Sequence, residues 1–383
     1  MRALFLAYRD SKNPSSVGGD FYLWELAKGL SRIGHQVTFV SSMFEGSRES
    51  EVIDGVEVVR VKGGWRLSLR VFGEYMRRLK GKFDVVVEEA IGGQRLPFFA
   101  GVYVREPLIA VWHQRHGKIF REQYHFPIAV FLSLFELFLA RLYRNRVIVT
   151  PSKGAREKLM QLGFNRDNVK VVYDGVGEIF YNAKTSENRE DVIVCLGKLR
   201  RYKRPDHAIL ALAHVLKNAK RICRLVIAGK VSEIDRGYVD ELQNLAERLG
   251  ISNYVDFRFN ISEIEKLKLL EKARVLVQPS PVEGFSIVVI EANRCGTPVV
   301  VSNGVPEDVV INNYNGIVYS FGNIEALSVA LTMLLNDKVI WNRISKNAIS
   351  WAQNFTWENS VSKFDFVLNE VLSSKGFRVV DKV

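Results

Sequence analysis

The run Pro279-Ser280-Pro281-Val282-Glu283-Gly284-Phe285-Ser286-Ile287-Val288-Val289-Ile290-Glu291-Ala292 decides how this chain is read. Upstream, Arg274 to Val277 is apolar and reads as a strand. Pro279, Pro281 and Gly284 then force a loop. Beyond Gly284 the sequence is apolar, without glycine or proline until Gly296, and predicts a buried helix. Ser286 suits its N-cap or first turn. Glu283 therefore stands at the mouth of the helix and Glu291 about two turns inside it. At 1.5 Å per residue the two carboxylates lie roughly 10 Å apart along the axis.

Between them the first amides of the helix, those of Phe285, Ser286 and Ile287, and the positive end of its dipole predict an anion site suited to a diphosphate. A ligand with hydroxyls at both ends and a diphosphate in the middle matches this layout, and a nucleotide sugar is one. The competing reading is a loop glutamate in water and a second glutamate paired with a basic neighbour. Spacing alone leaves both open.

The segments Glu283-Gly284-Phe285, Glu291-Ala292 and Cys295-Gly296-Thr297-Pro298-Val299-Val300 resemble the signature of the retaining glycosyltransferases of family four, also called glycosyl transferases group 1. Ser286 stands where that family often has glycine. The resemblance implies an α/β protein of the GT-B fold. Its two facing Rossmann-like, doubly wound domains would carry a C-terminal helix that crosses back to the first. It covers nearly the whole chain and is most specific over residues 192–320.

A length of 383 residues accommodates two domains, each with its own core. With 47% hydrophobic and 25% charged residues the chain is globular in type, and its net charge of +12 suits acidic partners. Cys195, Cys223 and Cys295 lack metal-type spacing and read as core residues in a reducing compartment. The start, Met1 to Ala7, is too short for a secretory apolar region and reads as a strand, so a cytoplasmic location is expected.

Residues 3–8 predict a strand, Arg9 to Ser16 a polar loop, and the residues after Val17-Gly18-Gly19-Asp20 a helix. Gln36 to Val40 is the next strand. This opens a doubly wound domain with a glycine pair where backbone meets ligand, but without the Gly-x-Gly-x-x-Gly fingerprint of dinucleotide sites. By resemblance, Gly18 and Gly19 become donor-binding candidates. Leu108 to Trp112 predicts a strand with His113-Gln114-Arg115-His116-Gly117 at its carboxyl end. His113 matches the family's histidine that faces the donor sugar, and Arg115 and His116 are candidates for the acceptor. Neither histidine has metal-pair spacing, and no zinc is expected.

Arg66 to Lys82 predicts a basic helix, read either as a solvated face or as a surface for anionic lipid. Phe126 to Leu139 is apolar but shorter than the roughly 20 residues of a spanning helix, and Glu136 interrupts it. It reads as a buried or partly buried helix of the first domain, or as one lying on a membrane. The polar run Asn182 to Asp191 reads as the interdomain linker. The boundaries expected are 1–181 with 356–383 for the acceptor-side domain and 182–355 for the nucleotide-sugar domain.

In the second domain, strand Val192 to Leu196 runs into Gly197-Lys198-Leu199-Arg200-Arg201-Tyr202-Lys203-Arg204-Pro205, a cation-rich loop before a helix and a phosphate-binding arrangement. Lys203 matches the family's lysine. Lys198 stands where the family has arginine, with Arg201 as a substitute. Asp174 stands where the family's asparagine is usual.

The resemblance implies sugar transfer from a nucleoside diphosphate to a hydroxyl acceptor, such as a lipid-linked or cell-surface glycan precursor. Configuration would be retained. No Asp-x-Asp metal motif stands at a strand end and positive side chains can do a metal's work, so transfer without metal or cofactor is expected. In that reading His113, Glu283 and Lys203 are catalytic. The donor is held by Gly18, Gly19, Lys198, Arg201, Lys203, Gly284, Phe285, Ser286, Ile287 and Glu291. A nucleotide-sugar epimerase on the same fold is one rival. A nucleic-acid-binding protein is the other, disfavoured because the basic residues are spread over both domains without a recognised module. A peripheral position on an anionic membrane surface is a further expectation.

Overall fold

The computed structural model describes residues 1–16, 18–90, 97–218 and 222–376. The chain divides into two compact units: Met1–Gly117, Phe131–Gly175 and the chain from Thr356 form one, Lys118–Val130 and Val176–Phe355 the other.

Along the chain come β1 (Arg2–Leu6), α1 (Gly18–Arg32), β2 (Gln36–Ser42), β3 (Ser50–Ile53), β4 (Val56–Val61) and α2 (Leu67–Glu74). Next are β5 (Val85–Glu89), α3 (Ala100–Tyr103), β6 (Leu108–Val111), α4 (Gly117–Gln123) and α5 (Phe126–Leu142). β7 (Val147–Thr150), α6 (Lys153–Met160) and β8 (Val169–Val171) complete the first sheet. Among the described residues it holds eight strands in the order β3-β4-β2-β1-β5-β6-β7-β8, with only β3 antiparallel to its neighbour. Valine-rich runs such as Val85–Val87 are buried throughout, as a parallel sheet covered on both faces requires. The edge strand β3 is too short and polar to announce itself in sequence.

The second unit contains β9 (Val192–Leu196), α7 (Pro205–Asn218), β10 (Arg224–Gly229), α8 (Arg236–Arg248), β11 (Val255–Phe259) and α9 (Glu263–Lys272). It continues with β12 (Val275–Gln278), α10 (Ile287–Arg294), β13 (Val299–Ser302), β14 (Gly316–Tyr319), α11 (Ile324–Asn336) and α12 (Lys338–Ala352). Its sheet runs β11-β10-β9-β12-β13-β14, all parallel. Strand order reverses between β9 and β12. That switch point is where an open α/β sheet leaves a crevice at its carboxyl ends.

α13 (Trp357–Gly376) belongs to the first unit, where Val361, Phe364 and Leu368 join the core beneath α1. The helices meet so closely at Gly29 that a Cβ there would lie 2.1 Å from Val361 Cγ2. Of the expected C-terminal segment, residues 377–383 lie outside those described.

Two expectations are corrected, those for the basic helix and for the polar run after Asn182. The basic helix ends at Glu74 and continues as a π-helical turn, Tyr75–Leu79, in which the Lys80 N–H donates to the Tyr75 carbonyl at 2.8 Å. This wider turn buries Tyr75 and Leu79 together. The run from Asn182 to Asp191 belongs to the second unit and is not a free tether. Arg189 is buried and donates to the carbonyls of Ser186 and Leu270 at 2.7 and 3.1 Å. α5 buries Ala129, Leu139 and Ala140 but exposes Phe126, Phe131, Leu134 and Phe138. Among the described residues no helix is long and apolar enough to cross a membrane.

Candidate functional site

The loops after β9 and β12 flank the second unit's switch point, and the structure brings their charged residues together. Lys203 ends a 3-10 turn, Arg201–Lys203. Its Nζ contacts Glu283 Oε1 at 2.6 Å, and Gln278 Nε2 donates to the same oxygen at 2.7 Å. Glu283 is 6% exposed. Its loop is fixed from below: the Glu283 N–H donates to the Gly304 carbonyl at 3.1 Å, and Ser302 Oγ binds the Ser280 carbonyl. Gly304 has to be glycine, since a Cβ would sit 2.3 Å from the Pro281 carbonyl carbon. Burial pushes the Glu283 carboxyl up, but the Lys203 ammonium and the hydrogen bonds outweigh it and hold it below the usual range. Burial likewise works against the Lys203 charge, and Glu283 more than restores it.

α10 follows. Ser286 occupies the N-cap position but does not cap. Its backbone is left-handed, φ 79° and ψ 68°, its side chain makes no cap hydrogen bond, and its Oγ is buried without a partner. The glycine usual in the resembled family suits that backbone without strain. One turn inside α10, Glu291 is 4% exposed, with Lys266 Nζ at 2.7 Å from Oε1. Glu291 Oε2 is buried with no hydrogen-bond partner. Burial raises the Glu291 pKa despite Lys266. The reading of a second glutamate paired with a basic neighbour is thus met for one oxygen and not for the other. Lys266 and Gln278, far from their partners in sequence or of ordinary type, left no signal beforehand.

Lys198 is half-buried on the same loop as Lys203. Arg201 points elsewhere: its guanidinium binds both oxygens of Glu241 at 2.7 and 2.8 Å and stacks 4.7 Å over the Tyr238 ring. It borders a cavity of about 530 Å³ with Arg204, Asp206 and Tyr238, so diphosphate binding by Arg201 would require it to release Glu241.

In the first unit, Gly19 and His113 meet. A Cβ on Gly19 would stand 3.0 Å from His113 Nε2, which is buried without a hydrogen-bond partner. Tyr22 packs edge-on to the His113 ring at 5.3 Å and donates to the Val172 carbonyl at 2.8 Å. Burial, with His116 nearby, lowers the His113 pKa to about 4, so the ring is neutral at physiological pH. Gly18, opening α1, has open space about its Cα. His116 is buried: its N–H donates to Glu136 Oε1 at 2.7 Å and Nδ1 lies 3.4 Å from that oxygen. Arg115 donates to Gln161 Oε1 at 2.9 Å.

Sequence reading did not single out the pair Asp10–Arg60, fully buried with Arg60 Nε 2.7 Å from Asp10 Oδ2, which pins the loop after β1. Nor did it see Asp174 as more than a loop detail. Its Oδ1 is buried without a partner, and burial raises its pKa to about 8.

Two α/β units, each built on a largely parallel sheet, fit the GT-B architecture. The comparisons agree. The family model described as Glycosyl transferases group 1 matches residues 178–351, and that described as Glycosyltransferase Family 4 matches residues 18–177. The chain belongs to the family-four, group 1 glycosyltransferases. It is 25% identical over 386 residues to an uncharacterised glycosyltransferase of Methanocaldococcus jannaschii, covering 90% of this chain and 93% of that one. Its fold is similar to sucrose-phosphate synthase from Thermosynechococcus elongatus, with TM-score 0.81, 16% identity and coverage of 97% and 99%. It is also similar to Anabaena HepE in complex with UDP-glucose, with TM-score 0.74, 19% identity and coverage of 98% and 100%.

Proposed function

We propose that this glycosyltransferase moves a sugar from a nucleoside-diphosphate sugar to a hydroxyl of a lipid-linked or cell-surface glycan precursor, with retention of configuration and without metal. The observation that carries the donor reading is α10. Ser286 Oγ at its start and Glu291 Oε2 within it are both buried and unpartnered. Buried polar atoms cost roughly 1–3 kcal/mol each when unsatisfied, and a hydroxyl-rich ligand would satisfy them.

In this reading Glu291 accepts from the ribose hydroxyls. Lys203, Lys198 and the amides of Gly284, Phe285, Ser286 and Ile287 bind the diphosphate. Glu283 orients sugar hydroxyls, and His113, neutral, contacts the donor sugar as the family resemblance implies. Gly18 leaves room for the donor and Gly19 lets the His113 ring approach the same loop, while Arg115 and His116 serve the acceptor. The bond between the anomeric carbon and the phosphate oxygen breaks as the acceptor hydroxyl attacks the same face. The departing phosphate oxygen takes the hydroxyl proton, and the ammonium and helix dipole stabilise its charge. HepE, solved with UDP-glucose, supports this donor class by fold. The basic composition and the exposed apolar residues of α5 support an acceptor at a membrane face.

The test is transfer from an α-linked nucleotide sugar to a model acceptor, followed by proton NMR with and without EDTA. An α-product formed at an unchanged rate is expected. A β-product would overturn retention, and loss of turnover in EDTA would overturn metal independence.

A further inference from the structure

α2, with the residues just before it and the π-helical turn after it, carries two apolar stripes where an ordinary surface helix carries one. Leu67, Val71, Tyr75 and Leu79 are buried in the first unit's core. Trp65, Leu69, Phe72 and Met76, spaced at four, three and four residues, lie along the opposite side and are exposed, Trp65 by 75% and Leu69 by 66%. α5 repeats the pattern, burying Leu139 and Ala140 while exposing Phe131, Leu134 and Phe138.

The two faces are continuous. Phe72 packs edge-on to Tyr103 of α3 at 4.9 Å. Phe99, just before α3, packs against Phe135 of α5 at 6.4 Å, and Phe135 stacks with Phe131 and Phe138, each at 6.3 Å. Val102 of α3, 67% exposed, fills the middle. These exposed apolar side chains adjoin one another rather than being scattered singly, and contiguous apolar patches mark interaction sites.

Its exposed rim is mainly basic; Glu106, after α3, is half-buried and accepts from the Tyr75 hydroxyl and the Gly81 N–H. Arg66, stacked 4.5 Å over the Trp65 ring, and Arg77, Arg78, Lys80 and Lys82 are exposed beside the α2 stripe. Arg141 and Arg144 are exposed at the end of α5. The acid on α2, Glu74, lies 3.6 Å from Arg78, and the acid on α5, Glu136, is buried and bound to the His116 backbone. A two-fold contact with a second copy would set this cationic rim against itself. An anionic bilayer complements it, with arginines and lysines at the headgroups and aromatic and aliphatic side chains below them.

We propose that the α2–α3–α5 face docks the first unit in the interface of an anionic lipid membrane. The proposal does not depend on the donor or acceptor, because docking is read without either. The test is co-flotation of the full chain with vesicles of phosphatidylcholine, with and without phosphatidylglycerol. Leu69→Glu and Leu134→Glu are compared with wild type, and thermal midpoints verify folding. Wild type is expected to float with the anionic vesicles, to stay behind with neutral ones, and to detach as salt rises. Each variant, folded like wild type, is expected to lose roughly tenfold in partitioning. Failure of wild type to bind anionic vesicles would overturn the proposal, as would unchanged binding in both folded variants. So would a lipid-free dimer of the wild type that the same substitutions dissociate, since the face would then belong to a second copy.

Discussion

Asp174 shows what a single residue does when the fold withholds its partner. Its Oδ1 is buried without a hydrogen bond, and burial lifts its pKa from the ordinary 3.8 to about 8. Glu88, buried beneath Tyr143, rises to about 7 for the same reason despite that hydrogen bond. A carboxyl whose folded pKa is raised costs nothing below its unfolded value. Its penalty grows as pH climbs from about 4 and is complete once pH passes the folded value near 8. Stability is therefore expected to fall from pH 5 to pH 8. Asp174→Asn should flatten that slope and stabilise the protein at pH 8 by on the order of 1 kcal/mol, less than the full shift implies because the side chain retains some contact with water. Denaturant midpoints at the two pH values check this, and an unchanged slope would contradict it. The pair Glu283 and Glu291 was legible at this scale because loop chemistry and helix spacing placed both. Their partners Lys203 and Lys266 sit 80 and 25 residues away, and local spacing says nothing of such contacts.

At the scale of elements, β-branched runs and glycine or proline breaks placed most of the strands read beforehand to within a residue or two, as at Leu108–Val111 and Val192–Leu196. What failed was geometry that two neighbouring residues cannot encode. The π-helical turn after α2 depends on core packing of Tyr75 and Leu79, and β3 depends on pairing with β4. Ser286 is the sharpest case, because serine before an apolar run predicts an N-cap. The loop pinned by Ser302 and Gly304 precedes it, and the residue adopts a left-handed backbone without capping. Ser286→Gly should relieve the left-handed strain and the orphan hydroxyl. Set against the extra freedom of glycine in the unfolded chain, the net gain is about 1 kcal/mol. A thermal melt reads it. Destabilisation would mean that the hydroxyl has a partner in solution.

For the molecule as a whole, composition and length anticipated two α/β units of ordinary size. The return of the C-terminal helix to the first unit came only from the family resemblance, since no residue in that helix announces that Val361 will meet Gly29. The charge of +12 was legible, as were the basic run Arg66 to Lys82 and the apolar run Phe126 to Leu139 taken singly, but their meeting in one belt was not, because Trp65, Val102 and Phe131 are far apart in sequence. A nucleotide sugar held by the second unit through α10 would stabilise the native chain. The most direct test is the thermal midpoint of wild type and Glu291→Gln with UDP-, GDP- and ADP-sugars. A ligand at a hundred times its Kd adds about 2.7 kcal/mol to the native state. A rise with one nucleotide class that largely disappears in the variant is expected. No rise with any of them, or an equal rise in Glu291→Gln, would contradict it.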